Sequence, residues 1–136
     1  VGRGLPVSTG ELLALRRSVG WPTDGDYERI LREDVFHVSA RLHGRLVGFA
    51  QVVGSPHGDL LLQDVCVHPD LQRRGLGTLL VEAALEGCAA LGPQGVNVLF
   101  EERNLPFFRR FGFRILHGGY LDGPTLAKRF RPEGPG

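Results

Sequence analysis

Methionine is absent from this 136-residue chain, and tryptophan and tyrosine are nearly so, with one and two residues. Lysine is almost missing as well: Lys128 stands alone among 16 basic residues, the other fifteen being arginine. These arginines are scattered and form no basic tract. With 15 acidic residues against them the formal charge is +1, so no overall field would draw the chain to nucleic acid or to an anionic membrane. The two cysteines, Cys66 and Cys88, sit in apolar stretches without a Cys-x-x-Cys or Cys/His cluster, which argues against a zinc site or a redox pair and for inert, reduced thiols. No apolar run approaches the roughly 20 residues of a membrane span, and the N-terminus has no signal-peptide pattern. A soluble, cytoplasmic protein is expected, free of metal.

Glycine and proline are plentiful, at 20 and 9, and hydrophobic residues make up 42%, enough for one domain over residues 1–136 to bury a core without staples. Ser8 followed by Glu11 has the capping-box pattern, and Leu12, Leu13 and Leu15 predict a helix with Arg16 and Arg17 on its polar side. A second helix is expected after Thr23 and Asp26, through Tyr27, Ile30 and Leu31 to about Asp34. From Val35 the period becomes two. Strands are predicted on either side of a His43-Gly44 hairpin turn, and a third, nearly all apolar, over Leu60 to Val67. A long helix follows from about Gly75 to Leu91, then a strand at Val96 to Phe100 and a short helix at Leu105 to Phe111. A final strand pair is expected at Phe113 to Leu116 and Leu126 to Phe130, with a frayed tail from Arg131. The order describes an α/β fold of the α+β type, a mixed sheet with helices on its faces.

The sharpest local signal lies where the third strand meets the long helix, through Gln72-Arg73-Arg74-Gly75-Leu76-Gly77-Thr78. The first N–H groups of a helix lack intrahelical acceptors and carry a partial positive charge, so they can bind an anion that approaches closely. Gly75 and Gly77 present no side chain to block that approach. The same glycines also suit an ordinary tight strand-to-helix connection. The spacing matches neither Walker A nor the dinucleotide fingerprint.

Gln72 to Gly77 resembles the Q-x-x-G-x-G/A signature of the GNAT superfamily of N-acetyltransferases. Val67-His68-Pro69 before it and Phe111-Gly112-Phe113 after a short helix resemble that superfamily too, and the order of elements is similar from Thr9 to Phe130. The resemblance implies a mostly antiparallel sheet with one splayed strand pair and acetyl-CoA as co-substrate. The pantetheine arm would pair with Val65, Cys66 and Val67, and the pyrophosphate would be surrounded by Gln72, Arg73, Arg74, Gly75, Leu76, Gly77 and Thr78. Asn104, Phe107 and Phe108 would add further cofactor contacts. It implies direct attack of an amine on the thioester, with the Val67 N–H stabilising the oxyanion. The acceptor would be a small-molecule or peptide amine, and the protein a monomer or homodimer, the last strands offering a dimer surface.

An amine with pKa about 10.4 is almost wholly protonated at pH 7, and neutralising it costs roughly 4 to 5 kcal/mol. Asp64 is the leading candidate base because it interrupts the apolar run before the cofactor strand; a structural carboxylate is the alternative reading. Many relatives carry a Tyr that protonates the leaving thiolate where this chain has Phe108. Tyr120, in the Gly-rich loop, could substitute for it. An acyl-CoA-binding module with weak or lost catalysis therefore stands beside the enzyme reading, and a plain interaction domain is a third.

Overall fold

The computed structural model describes residues 1–131. A five-stranded mixed sheet runs in the order β1 (Gly2–Arg3), β2 (Phe36–Leu42), β3 (Arg45–Gly54), β4 (Asp59–Val67), β5 (Gly95–Val98). The first four are antiparallel neighbours, and β5 pairs with β4 in parallel. Helices α1 (Thr9–Ser18) and α2 (Tyr27–Glu33) precede β2, and α3 (Leu76–Leu91) connects β4 to β5. The predicted fold class is the one observed.

Each face of the sheet has its own packing logic. On one, Leu12 and Leu15 of α1 and Tyr27 of α2 cluster with Leu46, Phe49 and Cys66. On the other, α3 comes so close that a Cβ at Gly48 would lie 2.9 Å from Leu80 Cδ1 and 3.2 Å from Ala40 Cβ, so a side chain there would push Leu80 and β2 aside. The β2–β3 turn uses left-handed backbone at both His43 and Gly44, the twist that joins two strands by two residues.

The Ser8–Glu11 capping box is present, each side chain bonding the other's backbone N–H at 3.2 and 3.0 Å. Glu11 also accepts two bonds from Arg41 of β2, at 2.6 and 2.9 Å, which ties α1 to the sheet. The second helix begins elsewhere than expected: Asp26, not Thr23, is its cap, accepting from the Arg29 N–H.

Val1–Phe100 and Glu101–Gly136 form two compact units. The second holds a 3-10 turn (Glu102–Asn104), helix α4 (Leu105–Arg109) and helix α5 (Gly123–Phe130). The expected strand pair at Phe113–Leu116 and Leu126–Phe130 does not form: the first segment has no regular structure, and the second is helix. The reason is local. Asp122 caps α5 by accepting the Thr125 N–H at 2.8 Å and its hydroxyl at 3.0 Å, Pro124 suits the first turn, and Lys128 and Arg129 end it favourably. Dimerisation through those strands therefore loses its structural basis. Most of the expected frayed tail, residues 132–136, lies outside the described residues. Among the described residues no helix is long and apolar enough to cross a membrane.

Glu11 supplies a test of this framework. The Arg41 guanidinium, then the Ser8 backbone, hold its carboxyl down to about 2. A depressed carboxyl contributes stability above its unfolded pKa and loses it as pH falls through the folded one. Glu11→Gln is expected to lower stability by about 0.5–1 kcal/mol at pH 7, with the difference shrinking as pH drops from the ordinary carboxylate range towards 2. Urea unfolding at several pH values measures it.

Candidate functional site

The register of the sheet shifts between Ala40 and Arg41 of β2 and again between β3 and β4, and the second shift shapes the site. Phe49 pairs with Cys66, but Gln51 pairs with Gln63, so Asp64 and Val65 together face Ala50. This is a β-bulge, two residues opposite one, and Asp64 takes it with left-handed backbone, φ 54°. The bulge reverses the facing of β4. Leu60 and Leu62 are fully buried before it, while Cys66 beyond it joins the α1 and α2 cluster.

Just there the neighbouring strand leaves. Pairing of β4 with β5 runs from Asp59–Gly95 to Leu62–Val98 and stops, while β4 continues to Val67. Among the described residues no strand pairs with that edge of β4 over residues 63–67, roughly 15 Å of extended chain. At its far end the His68 N–H bonds the Val47 carbonyl of β3, so alternation turns the Val67 backbone towards the open edge. Gln72 confirms the direction, its amide donating to the Val67 carbonyl at 3.0 Å. By the same alternation Cys66 turns its backbone to β3, and its thiol lies in the core.

The chain then makes a 3-10 turn at Pro69–Leu71 and enters α3. Arg73 and Gly75 are both left-handed, with φ 65° and 81°. Gly75 is the N-cap of α3 and so brings no side chain to it; Leu76, Gly77 and Thr78 form the first turn. A Cβ built on Gly75 would meet no atom within 4 Å. Its glycine is thus required by backbone conformation and leaves free space above the helix start. Arg73 and Arg74 are exposed beside it.

Asp64 carries the most informative electrostatics. Its Oδ2 accepts from Arg16 Nη1 at 3.3 Å, and among the described residues no donor bonds its Oδ1. Burial pushes its carboxyl up, against the pull of the Arg16 guanidinium. About a third of the side chain remains exposed (36%), so the group is both partly desolvated and reachable. The Cys66 thiol is pushed up to about 12, mainly by burial, which keeps it protonated.

Arg16 is the residue that sequence reasoning misplaced. Expected on the polar side of α1, it is buried. The signal was present: Arg16 lies four residues after the buried Leu12, hence on the same helix face.

Asn104, Phe107, Phe108 and Tyr120 belong to the second unit. Asn104 is the N-cap of α4, and Phe108 is buried, its ring edge-on to Phe107 and Phe113 at 4.9 and 6.3 Å. Tyr120 lies in the irregular segment and is 86% exposed. Tyr27 lies in the core, and Trp21 packs against it.

The family model described as "Acetyltransferase (GNAT) domain" matches residues 32–115, more than half of the chain and the part that contains the bulge, the open edge and the Gly75 turn. The chain belongs to the GNAT acetyltransferase family. Solved structures of similar fold agree. A protein of unknown function from Staphylococcus aureus superposes with a TM-score of 0.78 at 18% identity, over 89% of this chain and 98% of that one. A GNAT family acetyltransferase from Streptococcus pneumoniae gives 0.71 at 24%, over 98% and 92%. An aminoglycoside 6'-N-acetyltransferase complexed with coenzyme A gives 0.69 at 18%, over 83% and 82%. Among curated proteins no sequence matches.

For this GNAT domain the Gly75 turn can be tested directly. Gly75→Ala places a methyl group in the free space and costs about 1–2 kcal/mol in left-handed strain. Titration calorimetry should show coenzyme A affinity reduced at least tenfold, while a pantetheine derivative lacking the pyrophosphate binds the variant and the parent alike.

Proposed function

We propose that this GNAT protein transfers an acetyl group from acetyl-CoA to a primary amine of a small molecule or peptide by direct attack, its whole length acting as one acyltransferase domain. The observation that carries the reading is the open edge of β4, which begins at the bulge and leads to the left-handed turn at the start of α3. An extended pantetheine arm adds to such an edge as a short strand would, through backbone hydrogen bonds. Val65, Cys66 and Val67 line it, and the Val67 N–H is the donor assigned to the oxyanion. Gln72 braces the end of β4 through the Val67 carbonyl. Arg73, Arg74, Gly75, Leu76, Gly77 and Thr78 receive the pyrophosphate, where left-handed turns and helix starts favour anions. Asn104, Phe107 and Phe108 are assigned to the cofactor as well.

Asp64 is assigned as the base. Its Oδ1 takes a proton from the substrate ammonium. The neutral nitrogen then attacks the thioester carbon to give a tetrahedral intermediate; the carbon–sulfur bond breaks with its electron pair on sulfur, and the nitrogen gives up its second proton, which ends on the thiolate. A coenzyme thiol with pKa near 8.5 is a tolerable leaving group at about pH 7, so the phenyl ring of Phe108 in place of a proton donor does not forbid turnover. Tyr120 is the candidate donor of a proton to the leaving thiolate. The Cys66 thiol, held protonated, is a poor nucleophile and supports direct transfer over an acyl-cysteine route.

Phe108 also favours a second reading, an acyl-CoA-binding module with little catalysis. A positioned acid typically contributes about 10² to 10⁴ in rate, and a phenyl ring supplies none of it. Acetyl-CoA titration followed by a thiol-release screen across polyamines, amino acids, aminoglycosides and peptides separates the two. The enzyme reading expects amine-dependent thiol release, and intact-mass measurement without acceptor should find no acetyl group on the protein. Saturable binding with silence across the screen would favour the binding module, and no binding would overturn both.

A further inference from the structure

Arg16 of α1 is a buried cation, with 10% of its side chain exposed. Its Nε donates to the Pro22 carbonyl at 2.7 Å. The guanidinium carbon lies 4.6 Å from the ring centre of Tyr27 and 5.3 Å from that of Trp21, distances at which both aromatic faces attract the cation. Tyr27 donates its hydroxyl to the same Pro22 carbonyl at 3.0 Å, and the Arg16 carbonyl accepts the Trp21 N–H, also at 3.0 Å. The end of α1, the turn after it and the start of α2 thus clamp one guanidinium. Its remaining polar contact is Asp64.

A clamp of this kind is more than the turn requires. The Pro22 carbonyl already has the Tyr27 hydroxyl, and burying a guanidinium costs several kcal/mol unless its charge is compensated. Here the compensating carboxylate sits on the one strained residue of the β4 bulge, at the head of the open strand edge.

We infer that Arg16 is a positioning residue for Asp64: locked against the α1–α2 turn, it fixes the carboxylate through Oδ2 and leaves Oδ1 to an incoming amine. This rests on the reading of Asp64 as the base. The titratable groups facing Asp64 are Arg16 from α1 and Cys66 further along β4, with Tyr27 of α2 behind the guanidinium. Burial raises the Asp64 carboxyl and Arg16 opposes the rise. Removing the cation leaves burial unopposed, so the carboxyl titrates at higher pH. A base must be deprotonated to work, and the acidic limb of kcat/KM must then move up with it.

The test uses Arg16→Met, which keeps bulk without charge, and Arg16→Lys, which keeps the charge without the fork. Two readouts are followed against pH: the Asp64 carboxyl carbon by NMR in protein carrying labelled aspartate, and kcat/KM for acetyl transfer. The expected result is an upward move of both in Arg16→Met, with kcat/KM at the foot of the acidic limb down about tenfold, and substantial recovery in Arg16→Lys. Affinity for acetyl-CoA should stay within about twofold of the parent in both. A lower melting temperature with an unmoved Asp64 titration would overturn the inference and leave Arg16 a staple of the turn. If Arg16→Met does not fold, Arg16→Gln, which removes the charge but keeps a hydrogen-bonding side chain, takes its place, and an Asp64 titration and acidic limb unmoved in it would overturn the inference too. A carboxyl titration that moves while the limb stays would instead overturn Asp64 as the base. Absence of turnover in the parent protein would strike the enzyme reading alone, since the carboxyl titration needs no substrate.

Discussion

One residue too many in β4 has consequences across the first unit. A strand in register with β3 on one side and β5 on the other would have its backbone groups paired along both edges. The extra residue at Asp64–Val65, opposite Ala50, breaks that regularity and reverses which face each later side chain occupies. Leu60 and Leu62 are buried ahead of the bulge, and Cys66 reaches the α1 and α2 cluster behind it. Beyond Leu62 and Val98 the parallel pair ends, and the released edge of β4 leads to the turn before α3. Bulges recur beside functional sites for this reason: they end pairing and re-aim a side chain in one step.

Left-handed backbone at a non-glycine residue costs about 1–2 kcal/mol, and a half-buried carboxylate adds a desolvation cost. The surroundings offset both. Arg16 meets Asp64 from α1, its charge spread over the faces of Trp21 and Tyr27 and its Nε taken by Pro22. The same cluster joins α1 to α2, so the turn between the helices and the carboxylate on the sheet are held by one side chain. Bonded through one oxygen only, the carboxylate remains able to accept a proton.

The second unit obeys a different balance. In the first, burial of apolar faces against the sheet decides the structure. In Glu101–Phe130 the described side chains are mostly exposed, Phe108 being the buried exception, and local signals prevail. Asp122, Pro124 and the basic last turn make a helix of Gly123–Phe130 although Leu126 and Phe130 had suggested a strand. Among the described residues no strand pairs with this segment to override the cap.

Local chemistry made much of this protein readable from its residues alone. Ser8 and Glu11 announced α1, His43-Gly44 the β2–β3 hairpin, and Gln72 to Gly77 the helix start, because caps, left-handed turns and glycine act over a few residues and carry composition with them. Those same residues pointed to the GNAT family. The bulge was invisible: Asp64 was legible as a polar break in the run from Leu60 to Val67, but the change of facing there exists only relative to β3. Arg16 illustrates the limit most sharply. Its spacing from Leu12 placed it on the buried face, yet only packing could supply the carboxylate 48 positions away that makes burial of a charge tolerable. Sequence determined the elements and their caps; tertiary structure decided where pairing stops and which charge meets which, because both depend on partners far apart along the chain.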